Sequence, residues 1–277
     1  MNQNTRRNLL AGLKKNPMAI AGICVILLFT LAAVLAPLIA QDPNKLNVNE
    51  RLLTPCLSHP FGTDDMGRDY LARCMYGGRT SLLVGFLAMV LSTLIGVVIG
   101  SLSGYYGGIA DTVIMRIVDA LMSLPTFLLM VVMNAYLDAG VKNVVLIIGF
   151  LTWMSLARIV RGETLTLKER EYVVYSRISG QRRSRIILRH ILPNMMPTII
   201  VSATINIAQA ILMESALSFF GLGIVPPTAS WGSMLNSAQN KLVTAPYLAV
   251  FPGLLILLTV ISFNYVGEIL RKVYEQR

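Results

Sequence analysis

The chain has 277 residues, of which 55% are hydrophobic and only 14% charged, and its mean hydropathy is +0.63. Soluble domains carry about 25% charged residues, so an ordinary soluble protein of one or two domains is excluded. The net charge of +10 comes from 24 Lys and Arg against 14 Asp and Glu, a balance that in a soluble chain would suggest nucleic-acid binding. Here the aromatics lie inside apolar runs and no polar domain is left to hold a nucleic acid; a membrane protein with basic inner loops accounts for the charge.

A spanning helix needs about 20 mostly apolar residues. Six stretches qualify: residues 17–40, 81–103, 112–135, 144–160, 198–220 and 247–270. The first is too long for the core of a signal peptide, and Gln41-Asp42-Pro43 offers no small-x-small cleavage site. It is followed by a polar segment, 42–79, in which Asp64, Asp65, Arg68 and Asp69 crowd together; on residues alone this reads as a self-neutralising turn cluster. Of the three cysteines, Cys24 reads as a small hydrophobe. Cys56 and Cys74 flank the polar segment; free thiols are the ordinary reading, with a disulfide open if the segment faces an oxidising compartment. Neither cysteine spacing nor the two histidines, His59 and His190, form a metal-ligand pattern.

Gly96 and Gly100 place a close-packing G-x-x-x-G on the second span. Pro125 removes a backbone donor and should kink the third. Asp119 stands three residues after Arg116, which suggests a local ion pair. Between the fourth and fifth spans lies the densest run of charge in the chain, 162–194. Its pattern predicts a helix over 162–179, a break at Gly180, and a second short helix from about Arg182 to Ile191, ended by Pro193 and Pro197. Such a unit serves as a rigid two-part lever or as an amphipathic loop on anionic lipid heads. Glu214 places a carboxylate inside the fifth span, where a charge costs about 2.5–3.5 kcal/mol. With Gln209 and Asn206 it is a candidate for the translocation path; Asn134 and Asn264 are further candidates, Asn264 more as an interhelical hydrogen bond. Trp231 reads as a membrane-interface anchor.

With the N-terminus inside, fifteen of the 24 Lys and Arg fall in inner segments and seven in outer ones; Arg116 and Arg158 lie near inner ends of spans. The positive-inside rule therefore places both termini and the 162–194 loop in the cytoplasm. No G-x-x-x-x-G-K-[ST] run exists, so the chain has no phosphate-binding loop of that kind.

Glu171, Gly180 and Ile191-Leu192-Pro193 resemble the E-A-A…G…I-x-L-P loop of ATP-binding-cassette (ABC) importer permeases. His59-Pro60-Phe61-Gly62-Thr63-Asp64-Asp65-Met66-Gly67-Arg68-Asp69 resembles the GTDxxGRD segment of the peptide and nickel permeases, the dipeptide/oligopeptide permease C-type family. Ser218 to Gly223, Pro226 to Gly232 and Gly267 to Arg271 resemble that family's last outer loop and final segment, so the likeness covers almost the whole chain. One departure is Val174-Tyr175-Ser176 where the family shows E-A-A.

The resemblance implies an all-α, polytopic fold of about six spans, the type I importer (MetI-like) permease fold. It implies an anchor helix and extracytoplasmic scoop over 1–80 and a permease domain over 81–277 with the coupling loop at 162–194. Gly62, Asp64, Gly67, Arg68 and Asp69 would form the scoop beneath a solute-binding protein. Glu171, Tyr172, Arg177, Gly180, Arg182, Arg183 and Pro193 would dock on an ATPase. The implied partners are a second permease subunit, two ATP-binding subunits that hold ATP and Mg, an extracytoplasmic solute-binding protein and the lipid bilayer, with no nucleic acid, and no cofactor, metal or catalytic residue in this chain. The implied location is the bacterial inner membrane, and the implied cargo a dipeptide or oligopeptide, with nickel or a metal–chelator complex as the alternative. An ion-coupled secondary carrier would want inverted repeats, and none is evident; nor do the spans hold the converging His, Asp or Ser groups of a membrane-embedded enzyme.

Overall fold

The computed structural model describes residues 16–275, and within them the chain is all-α. Arg6, Arg7, Lys14, Lys15 and Arg277, which enter the charge count, lie outside the described residues. Ten helices follow in order: α1 Pro17–Ile39, α2 Tyr70–Tyr106, α3 Gly108–Met122, α4 Thr126–Ala135, α5 Val141–Leu167, α6 Glu171–Ile178, α7 Arg183–Ile186, α8 Leu192–Phe219, α9 Trp231–Ala238 and α10 Tyr247–Glu275. Among the described residues five unbroken helices are long and apolar enough to cross a membrane, or six if the bent α3–α4 pair counts as one broken span.

Three sequence expectations are corrected at this level. The second span is not confined to 81–103: α2 runs 37 residues, because no Pro interrupts it and Asp69 caps its start by accepting from the Ala72 amide at 2.7 Å. A boundary at residue 80 therefore falls inside a helix. Pro125 does more than kink the third span. It stands at the N-cap of α4 after Ser123-Leu124, and α3 and α4 meet at 86°. Pro193 and Pro197 end nothing: residues Arg183–Phe219 form one helix. Pro193 sits at its α8 segment's first turn, and a π-helical turn over Ile187–Ile191 precedes it, with the Leu192 amide bonded to the Ile187 carbonyl. The widened turn accommodates the ring that would clash in a regular α-helix.

The most extensive helix pair is α2 against α5. Cβ atoms placed on Gly96, Gly100 and Gly104 would lie 2.9, 2.5 and 2.8 Å from the carbonyl oxygens of Trp153, Ala157 and Arg161. Three glycines at four-residue spacing thus meet three carbonyls at four-residue spacing, and the two backbones touch along more than two turns. In a membrane, where tails and side chains are equally apolar, this close van der Waals contact is what favours association. The lower end of the seam is tied by charge. Arg161 grips Asp111 with Nε on Oδ1 and Nη2 on Oδ2, both at 2.6 Å, and Ser103 donates to the same carboxylate. Asp119 pairs with Arg158 of α5, not with Arg116 as its spacing suggested; the tertiary partner displaces the local one.

Candidate functional site

Three regions bear on function: the arm between α5 and α8, the polar face of α8, and the segment that precedes α2.

The arm starts later than its sequence suggested, since α5 carries on to Leu167 and the predicted 162–179 helix is split at 168–170. Helix α6 is then held by Val173, which is buried with Leu156, Val160, Ile186, Ile187, Ile191 and Met195. Ser176 faces inward, donating to the Tyr172 carbonyl at 2.8 Å and lying 3.4 Å from His190 Nε2. Helix α6 ends in a Schellman motif: the Gln181 amide reaches the Ser176 carbonyl at 3.2 Å and the Gly180 amide reaches Arg177 at 3.1 Å. Gly180 takes φ +74°, and nothing lies within 4 Å of where its Cβ would be. Its role is therefore conformational, since the left-handed region suits glycine and strains a β-branched residue.

On this frame Glu171, Tyr172, Arg177, Gly180, Arg182, Arg183 and Pro193 all stand at the surface. The arrangement also exposes an apolar set that sequence reading missed: Tyr175 at 74%, Ile178 at 79% and Leu188 at 66%. Their signal was present as apolar residues out of phase with the buried Val173, but the phase became readable only once α6 had a packed face. Arg183 lies over the Tyr106 ring at 5.2 Å, joining the arm to the end of α2. Exposed apolar groups together with exposed arginines, on an arm anchored in the core, are the makings of a docking surface.

The candidate path residues do not act as one stripe. Glu214 is wholly buried. It accepts from Ser81 Oγ and Ser218 Oγ, each at 2.8 Å; Ser81 Oγ in turn accepts from the Trp231 amide at 3.2 Å and Ser218 Oγ from the Ile224 amide at 2.9 Å. This is a polar knot joining α2, α8 and the start of α9, in which Glu214 bonds across helices. Gln209 is exposed and Asn206 half-buried, and at about 100° per residue they sit well around the helix from Glu214. Along that other face Thr198, Ser202 and Ile205 line a cavity of about 720 Å³ with Glu163, Asn194, Arg271 and Tyr274, and Thr198 donates to Glu163 at 2.5 Å. Trp231 is corrected: it is 2% exposed and donates to the Cys74 carbonyl at 2.9 Å, a core residue and not an interface anchor. Asn134 donates to the Leu222 carbonyl, whereas Asn264 is exposed and holds no interhelical bond among the described residues.

The segment before α2 is a self-bonded structure. Asp64 Oδ1 accepts from the amides of Met66 at 2.9 Å and Arg68 at 3.0 Å, and Oδ2 meets Arg68 Nε at 2.7 Å. Arg73 approaches the same oxygen at 3.6 Å. A Cβ on Gly67, at φ +72°, would fall 1.7 Å from the Asn47 carbonyl oxygen, so only glycine fits there. Asp65 pairs with Lys241; partial burial pushes its carboxyl up, but the Lys241 bond and charge, with Arg68 nearby, hold it below the usual range, and the Tyr247 hydroxyl lies 2.9 Å from the carbonyls of both Leu53 and Thr63. His59 Nδ1 is 2.7 Å from Asp69 Oδ2, a bond that raises the imidazole above its ordinary pKa. Asp64 and Arg68 are buried and bonded to each other, so they brace the segment from within, while Lys241 and Tyr247 hold it against the α9–α10 region. Cys56 and Cys74 are both free, Cys56 exposed and Cys74 buried within α2.

Comparison with known proteins accords with this architecture. Residues 96–277 match the family model described as binding-protein-dependent transport system inner membrane component, and residues 7–55 match the N-terminal TM domain of oligopeptide transport permease C. The dipeptide transport system permease protein DppC of Alkalihalophilus pseudofirmus is 39% identical over 260 residues, covering 94% of this chain and 86% of the relative. The oligopeptide transport system permease protein OppC of Bacillus subtilis is 39% identical over 259 residues, 93% of this chain and 85% of the relative. A putative peptide permease protein of Brucella suis is 40% identical over 266 residues, 95% and 88% respectively. With five to six apolar spans and a match over most of its length, this chain belongs to the family of binding-protein-dependent transport system inner membrane components.

Proposed function

We propose that this chain is a peptide-conducting permease subunit of an ATP-driven importer, pairing with a second permease, two ATP-binding subunits and an extracytoplasmic binding protein. The observation that carries this is the projecting α6–α7 arm: a rigid unit rooted in the core through Val173 and Ile186, presenting Tyr175, Ile178 and a set of arginines outward. ATP and Mg belong to the ATP-binding subunits, and their closure moves the arm. Because α7, the π turn and α8 form one helix, that motion passes directly into a span, exchanging inward- and outward-open states. The polar face of α8, from Thr198 and Ser202 to Gln209, borders the passage, and the 162–194 arm and both termini lie in the cytoplasm. The printed names of the relatives favour dipeptides or oligopeptides over nickel.

The test is peptide uptake by the purified complex in proteoliposomes, with the binding protein outside and ATP supplied to the ATPase side. Wild type accumulates peptide only with ATP; uptake by this chain alone on an ion gradient would overturn the reading. Gly180→Val is expected to insert normally and to hydrolyse ATP with uptake reduced at least about tenfold, since a strained cap of about 1–3 kcal/mol displaces the arm. Normal coupled uptake in that variant would remove the arm from the mechanism.

A further inference from the structure

Arg79 stands on α2 nine residues after its start, about 14 Å along the helix. It is exposed and, among the described residues, makes no hydrogen bond or ion pair. It lines two cavities at once. On the side of the polar segment is a cavity of about 340 Å³ bounded by Asp42, Asn44, Tyr76, Thr80 and Thr228. On the membrane side is a groove of about 410 Å³, lined by Val34 of α1, Leu82, Leu83 and Phe86 of α2, Ile207 of α8 and Phe263 of α10. The first mixes polar groups with Pro43, Pro227 and Ala229, the second is mostly apolar, and Arg79 is the one residue that lines both.

From this arrangement we infer that the α1–α2 seam is a specific phospholipid site, with the lipid phosphate on Arg79, an acyl chain in the groove and the remainder of the headgroup beside Asp42. The occupant is set by the chemistry of both cavities. A free anion would satisfy Arg79 and leave the groove unexplained; a hydrocarbon would fill the groove and leave the cation unpaired. From Arg79 to Phe86 the groove descends about 10 Å, a large part of one leaflet's hydrocarbon depth of about 15 Å. Asp42 spends one carboxylate oxygen on the Asn44 amide at 2.9 Å, and the other is available to a headgroup ammonium. An aminophospholipid therefore fits better than a purely anionic one. Helix α1 is the least enclosed of the spans, and a lipid lodged in the seam completes its packing against α2.

The experiment is native mass spectrometry of the intact permease–ATPase complex released from detergent, with lipid add-back after delipidation. One phosphatidylethanolamine per copy is expected to survive on the wild type and to rebind on add-back, with phosphatidylglycerol weaker and inorganic phosphate absent. Arg79→Gln should cut occupancy about tenfold or more, the loss of one charge-assisted contact. Leu83→Trp, which fills the groove and leaves the cation in place, should cut it comparably, and Arg79→Lys should retain most of it. Equal occupancy in all four proteins would mean annular lipid only and overturn the site. So would retention of phosphate without lipid, or cross-linking of Arg79→Cys to the second permease with no lipid adduct.

Discussion

His59 shows how a single side chain can make the polar segment pH-sensitive. Its Nδ1 meets Asp69, the N-cap of α2, and its Nε2 lies 3.4 Å from Glu50. The Asp69 bond raises its pKa, so its contribution to stability is fully present below the unfolded value of about 6.5 and is lost as pH rises through the higher folded value. Thermal unfolding of the complex followed from pH 6 to 8.5 should show falling stability of this segment, and His59→Gln should flatten the profile. Glu214 makes the opposite kind of claim. Replacing it with Leu leaves the Ser81 and Ser218 hydroxyls without their acceptor in a dry interior, at about 1–3 kcal/mol per group. Glu214→Leu should thus lower the thermal midpoint and the yield of folded protein, and Glu214→Gln should do so less. A variant that folds normally but transports poorly would place this carboxylate in the passage.

Among elements, the α2–α5 seam and the arm rest on different uses of glycine. At the seam, Gly100 is needed for its lack of a side chain: a Cβ would sit 2.5 Å from the Ala157 oxygen. Gly100→Leu should separate the helices and cost about 1–3 kcal/mol or more, read as a lower unfolding temperature in detergent. Gly253→Ala is the matched control, because nothing lies within 4 Å of its Cβ position. Two of the seam's three glycines were readable in advance from their spacing, and Gly104 extends them by one more turn. What the residues could not show was the partner: the carbonyls of Trp153, Ala157 and Arg161 belong to a helix about fifty residues away. Pro193 shows the opposite limit. Read locally it is a helix stop; in the structure a π turn absorbs it and a break becomes a rigid joint.

For the whole molecule, the orientation rests on charge asymmetry, and Cys56 offers a native probe of it. Its thiol is exposed and its pKa is lowered, chiefly by the Ser58 hydroxyl with a further contribution from the His59 backbone, which favours the reactive thiolate. In intact cells a membrane-impermeant maleimide should label Cys56. In a Cys56→Ser background, Ile178→Cys on the arm should label only after permeabilisation. The reverse pattern would invert the molecule.

Composition, apolar run length and motif order by themselves determined the membrane class, the all-α fold, the approximate spans and the importer family. These depend on local hydropathy and on residue types in sequence, which a bilayer reads one segment at a time. Only the tertiary structure decided which polar groups meet. Asp119 chooses Arg158 over its neighbour Arg116, Glu214 joins Ser81 more than a hundred residues earlier, and Trp231 turns inward to Cys74. The physical reason is that a buried charge or donor takes whichever partner the packing brings within hydrogen-bond distance, and that distance is a property of how the helices cross.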